Sequence, residues 1–149
     1  MEPMKKYKVF QYKTKVQWTG ERTGLLRGEG KPDISVANPP EFKGVPNVWT
    51  PEDLFVAALN ICLMNTFVAS LLRKGIILIS YKSEAEATLD FVEGNYRFVS
   101  ARILPRINVK GSVTEADIAQ IVREAHEGCV IANSINTPVE VKPSISIVS

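Results

Sequence analysis

WTPEDLFVAALNICLMNTFVASLLRKGI, residues 49–76, decides the fold. Thr50 suits a helix N-cap, Pro51 the first helical position, and Glu52 and Asp53 place acids in the first turn. At the far end Arg73 and Lys74 complement the dipole, and Gly75 offers a left-handed exit. The spacing predicts a helix over residues 51–74, whose apolar residues surround the axis and so call for enclosure on most sides. From Leu54 to Leu72 the run is nineteen residues without a charge, close to the roughly 20 that cross a bilayer. Asn60, Asn65, Thr66 and Ser70 interrupt it and no aromatic belt brackets it, so it reads as the buried core helix of a domain rather than a membrane span.

Upstream, Phe10, Tyr12, Val16 and Trp18 alternate with polar residues over residues 7–18, the pattern of a half-buried strand. Turn residues at 19–24 and 28–32, a short strand at 33–37 and a Pro- and Gly-containing loop at 38–47 then lead into the helix. Downstream, residues 84–91 alternate, Glu93-Gly94-Asn95 makes a turn and residues 96–104 return, which predicts a hairpin. Thr114 caps an amphipathic helix carrying Ile118, Ile121, Val122 and Ala125 at i, i+3, i+4 and i+7. Gly128 ends it, Cys129 follows, and residues 130–135 suggest a short helix. Val139, Val141, Ile145 and Ile147 form a last strand, with Pro143 favouring an edge or bulge. Strands and helices in blocks indicate an α+β fold.

At 149 residues one domain spanning 1–149 is expected. Eighteen basic against sixteen acidic side chains, a net +2, argue against a nucleic-acid partner. The N-terminus, MEPMKKYKVFQYK, lacks a signal-peptide core, so a cytoplasmic setting is the expectation. In such a compartment two cysteines pair transiently and chemically, if at all. The plain alternative is that each is a small buried hydrophobe. Two Cys and one His without close paired spacing do not suggest a metal, and nothing points to a cofactor.

The same helix segment resembles the central helix of the osmotically inducible protein C and organic hydroperoxide resistance (OsmC/Ohr) family, where a Pro-Glu pair opens the helix and a reactive Cys lies ten residues after the Glu. Here these are Pro51, Glu52 and Cys62. AHEGCVIANSI is similar to the family's second-cysteine segment, with Cys129, and residues 19–24 resemble its N-terminal arginine turn, with Arg22; Arg27 lies close by as the competing arginine. One departure is Val130, where many relatives have Pro. The resemblance implies antiparallel sheets packed around a long buried helix in an intertwined homodimer. It also implies a thiol peroxidase for organic hydroperoxides, in which Cys62 becomes a sulfenic acid, Cys129 condenses with it to a disulfide, and an external dithiol, of the lipoyl type that relatives suggest, reduces the product.

That chemistry needs a thiolate, and a free thiol of pKa about 8.5 is only about 3% ionised at pH 7; lowering it two units takes roughly 2.7 kcal/mol. The dipole of its own helix cannot help Cys62, eleven residues beyond Pro51. The resemblance assigns the task to Arg22, oriented by Glu52. Physical reasoning alone favours Cys129 as the low-pKa thiol, because it sits at a helix entrance. Glu52 lies about 15 Å along the helix from Cys62, so a site using both would be composite across a two-fold axis; the alternative is a long Arg22 reaching between its own Glu52 and Cys62, or a kinked helix. Trp49, Leu59, Leu63, Met64 and Phe67 are candidates for apolar walls of a substrate site. Two other functions compete: a Cys-His hydrolase or acyl-transfer enzyme using His126, and a small-molecule-binding domain of the same fold without catalysis.

Overall fold

The computed structural model of the chain describes residues 6–149; Met1–Lys5, the start of the stretch read for a targeting signal, lie outside the described residues. The chain divides into two compact units, one up to Asp53 and one from Leu54 onward.

The first unit is a three-stranded antiparallel meander of β1 (Lys15–Gly20), β2 (Thr23–Arg27) and β3 (Ile34–Ala37). Gly20 at φ 121° and Glu21 at φ 48° make the β1–β2 turn, where a left-handed backbone favours glycine. The expected half-buried strand at 7–18 is corrected here: regular pairing begins only at Lys15, and Val16 and Trp18 are 73% and 74% exposed. Alternation shows which side chains share a face, and says nothing of whether anything in the same chain covers it. After β3, a 3-10 turn at Pro40–Phe42 and the close approach of Gly44 to Asn38 fold the loop back. The Ala37 N–H then donates to the Trp49 carbonyl at 3.0 Å.

Helix α1 runs Pro51–Lys74, as its end signals predict, with Gly75 at φ 70°. Thr50 Oγ1 accepts from the Asp53 N–H at 3.0 Å, and Asp53 Oδ2 accepts from the Thr50 N–H at 3.1 Å. This reciprocal cap uses Asp53 and leaves Glu52 for other work.

In the second unit β4 (Ile77–Val92) and β5 (Asn95–Lys110) form a long antiparallel hairpin. Glu93 at φ 50° and Gly94 at φ 88° give the two left-handed positions that a tight hairpin turn requires. The hairpin is longer than its alternation suggested, because the apolar run at 76–79 and register shifts between Leu78 and Ser80 and between Thr88 and Leu89 break the period. β6 (Val139–Val141) and β7 (Ser144–Val148) join β5 in parallel. The single last strand expected is thus two short ones split at Pro143, which has no N–H for a ladder. Helix α2 (Glu115–Glu127) starts with a capping box between Thr114 and Asp117.

The core lies between α1, α2 and the inward face of β5. Leu59, Leu63, Phe67 and Leu71 meet Ala101, Ile103, Ile107 and Val109, closed by Ile118, Ile121, Val122 and Ala125. Each such large aliphatic side chain contributes about 1.5–3 kcal/mol. The sheet and α2 cover one stripe of α1, so the expected enclosure on most sides is not met by the described residues: Ile61 and Leu72 are 53% and 73% exposed. α1 is long and apolar enough to cross a bilayer, with a mean hydropathy of 1.9, yet its packed stripe is that of a core helix.

Candidate thiol redox site

Cys62 sits in the middle of α1, on the turn before Thr66. Cys129 is the N-cap of helix α3 (Val130–Asn133), with φ −73° and ψ 112°. The α2–α3 junction is pinned by backbone bonds: Gly128 N–H to Glu124 O at 3.0 Å, Cys129 N–H to His126 O at 3.2 Å and Asn133 N–H to Cys129 O at 3.0 Å. Side chains complete it, with Asn133 Nδ2 donating to Glu127 O at 2.9 Å and Ser134 Oγ to Val130 O at 2.7 Å. The junction lies directly on α1: a Cβ built at Gly128 would be 3.9 Å from Thr66 Cγ2.

This packing brings together two thiols that are sixty-seven positions apart in sequence. Both are free; Cys129 is 1% exposed and Cys62 is partly open to solvent. Each thiol influences the ionisation of the other. Burial pushes the Cys62 thiol up, but N–H groups of Ile131 and Val130, the Cys129 thiol and the Thr66 hydroxyl together hold it below the ordinary thiol value. In the resting geometry Thr66 Oγ1 donates to the Cys62 carbonyl at 2.9 Å, and its single proton can turn to the sulfur. For Cys129 burial acts first and raises the thiol; its bond to Cys62 and the charge on Cys62 add to this, and the N–H groups of Ala132 and Ile131 only partly oppose.

The expectation that position at a helix entrance favours Cys129 as the low-pKa thiol is therefore corrected. The first N–H groups of α3 have no acceptor within the helix, and those of Val130 and Ile131 serve Cys62 across the junction. Cys129 is itself too deeply buried to ionise readily. The sequence reading missed these amides and Thr66: Gly128-Cys129 signalled free N–H groups at that point, but nothing indicated which sulfur they would meet.

Arg22 and Glu52 belong to the first unit. Arg22 is in the β1–β2 turn, where Nη1 donates to the Phe42 carbonyl at 3.4 Å, and no carboxylate pairs with it among the described residues. Arg27 is already engaged, 3.3 Å from Asp33 Oδ2 and 3.3 Å from Gln17 Oε1. Glu52 Oε2 is buried without a hydrogen-bond partner, and the uninterrupted α1 keeps it about 15 Å along the axis from Cys62. His126 offers Cys129 its carbonyl, and its imidazole hydrogen-bonds neither thiol among the described residues. Of the suggested apolar walls, Leu59, Leu63 and Phe67 are consumed by the core at 0–1% exposure; Ile61 and Met64, near Cys62 in sequence, and Val130, next to Cys129, keep open surface.

Solved structures similar to this chain share its fold. An OsmC-like protein of unknown function from Vibrio cholerae aligns with a TM-score of 0.84 at 23% identity, covering 91% of this chain and 99% of its own. An organic hydroperoxide resistance protein OsmC from Legionella pneumophila aligns at 0.70 and 23%, covering 94% and 99%. An organic hydroperoxide resistance protein of Bacillus subtilis aligns at 0.65 and 19%, covering 92% and 98%. No protein of curated function matches in sequence. The family model described as OsmC-like protein matches residues 44–144, a span that takes in α1, the hairpin, α2 and both thiols, and the chain belongs to the OsmC-like family.

Proposed function

We propose that this protein is a cysteine peroxidase that reduces organic hydroperoxides to alcohols. The observation that carries the reading is the apposition of two free thiols of opposite character, one accessible and held toward thiolate, the other buried and held protonated. The Cys62 thiolate attacks the terminal oxygen of the hydroperoxide, so that a sulfur–oxygen bond forms, the oxygen–oxygen bond breaks and the alkoxide leaves as alcohol with a proton. Sulfur loses two electrons and becomes a sulfenic acid. Cys129 then attacks Cys62, the hydroxyl leaves as water with the Cys129 proton, and a disulfide closes. An external dithiol, for which the family resemblance suggests a lipoyl-type compound, returns two electrons and two protons.

The functional unit in this proposal is a cytoplasmic homodimer of single-domain chains, with Arg22 and Glu52 of the partner subunit completing each thiol site. The uncovered apolar stripe of α1 and the open face of β1 support a second copy. So do an arginine without a carboxylate and a buried carboxylate oxygen without a donor. The distance along α1 from Glu52 to Cys62, which keeps the two side chains of one chain from direct contact, supports the partner's Glu52 in this role.

Stopped-flow oxidation by cumene hydroperoxide, followed by turnover with a dithiol, tests the reading. Cys62→Ser abolishes turnover, and Cys129→Ser completes one oxidation and leaves a trappable sulfenic acid. Reversed outcomes exchange the two roles, and a wild-type thiol no faster than free cysteine refutes the peroxidase.

A further inference from the structure

We propose that the interface between α1 and the inward face of β4 binds one internal water molecule, held by Asn60 Oδ1, the Tyr81 hydroxyl and the Ser83 hydroxyl. Tyr81 and Ser83 alternate with exposed Ser80, Lys82 and Glu84, and they pair with buried Ile107 and Pro105, so both side chains leave β4 on its core side. The Tyr81 ring lies 5.8 Å from that of Phe67 on α1. Two turns earlier on the same face of that helix, Asn60 Nδ2 donates to the Ser83 carbonyl at 3.2 Å. Three polar side chains thus meet at one place, yet Asn60 Oδ1, Tyr81 Oη and Ser83 Oγ are each shut off from solvent and have no hydrogen-bond partner among the described residues. Burial pushes the Tyr81 phenol up and the neighbouring Ser83 hydroxyl opposes this only in part; the two hydroxyls are neighbours that are not aligned into a bond of their own. Asn60 cannot relieve the site by turning its amide, because that would set Oδ1 against the Ser83 carbonyl in place of Nδ2.

Buried polar groups that cannot reach one another are satisfied by a ligand small enough to stand between them. Asn60 Oδ1 only accepts, whereas each hydroxyl carries one proton and accepts as well. A water gives one proton to Asn60 Oδ1 and the other to Ser83 Oγ, and it takes the proton of Tyr81, which makes the usual three bonds of an internal water. All three groups are uncharged, which suits a neutral ligand rather than an ion. The water ties the middle of α1 to β4 beside the direct bond from Asn60, and it does not depend on the peroxidase reading. A crystal structure fine enough to order solvent is expected to show one peak within about 2.6–3.2 Å of all three atoms. In solution, deuteron magnetic relaxation dispersion counts long-lived internal waters, and Ser83→Val is expected to lose the amplitude of one such water per chain. Should that variant fail to fold, the double variant Tyr81→Phe/Ser83→Ala, which keeps the ring against Phe67, makes the same comparison. A direct bond between two of the three side chains with no solvent peak overturns the inference, as does a peak too large for water or an unchanged dispersion in a folded variant.

Discussion

Replacing Val130 with proline deletes one hydrogen-bond donor to Cys62 and little else. Val130 is the first residue of α3, where proline's fixed φ is already suited. The residue before it, Cys129, has φ −73° and ψ 112°, inside the extended region that a following proline demands. The Val130 side chain is 68% exposed, so packing is barely disturbed, and its carbonyl still accepts from Ser134. What disappears is the N–H directed at the Cys62 sulfur. A hydrogen bond to a charged group is worth about 1.5–3 kcal/mol; with Cys62 partly open to water, about 1 kcal/mol is a reasonable net figure. Losing about 1 kcal/mol of thiolate stabilisation raises the Cys62 pKa and cuts the thiolate fraction about fivefold at pH below the pKa. The assay is the ultraviolet thiolate absorbance of a Cys129→Ser protein against pH, with and without Val130→Pro, and a thermal melt as the control. An unmoved titration in a protein of unchanged melting temperature would refute the assignment of this amide to Cys62.

Mixing an inactive Cys62→Ser chain with an inactive Arg22→Ala chain restores about half of one dimer's activity if the site is composite across a two-fold axis; no recovery despite demonstrated subunit exchange removes that model. Because Cys62 is held below the ordinary thiol value, chiefly by the Ile131 amide working against burial, the oxidation rate rises from acid and levels off below the pH at which a free thiol would; a rise continuing through the ordinary thiol range contradicts it. Bulky organic hydroperoxides are expected to outrun hydrogen peroxide, since Ile61 and Met64, near Cys62 in sequence, and Val130, next to Cys129, leave apolar surface open, and equal second-order rate constants would defeat this. Thr114→Ala removes the reciprocal cap of α2 and should lower stability by about 1 kcal/mol in denaturant unfolding without changing oxidation of Cys62; a loss of peroxide reactivity at full folding would mean α2 has a role beyond packing.

Much of the chain was legible without a structure where local chemistry decides. The ends of α1 were set by Thr50, Pro51 and Gly75, the start of α2 by Thr114, and the reversal of the hairpin by Glu93-Gly94, because caps and left-handed positions act over a few residues. The hairpin's full length escaped, since bulges shift the period at two places. The family was also legible, carried by the placement of Pro51, Glu52 and Cys62 and by the segment around Cys129.

The tertiary structure decided what depends on residues distant in sequence. It put Leu59, Leu63 and Phe67 into the core, and it left the far side of α1 and both faces of most of β1 uncovered among the described residues. Above all it reversed the electrostatic ranking of the thiols. By sequence Cys129 owned the helix entrance, but a helix's free N–H groups act on whatever sulfur packs in front of them, and folding puts Cys62 there while burying Cys129. Burial and hydrogen-bond direction are properties of the packed chain, so the order of ionisation of Cys62 and Cys129 emerged only when α1 met the α2–α3 junction.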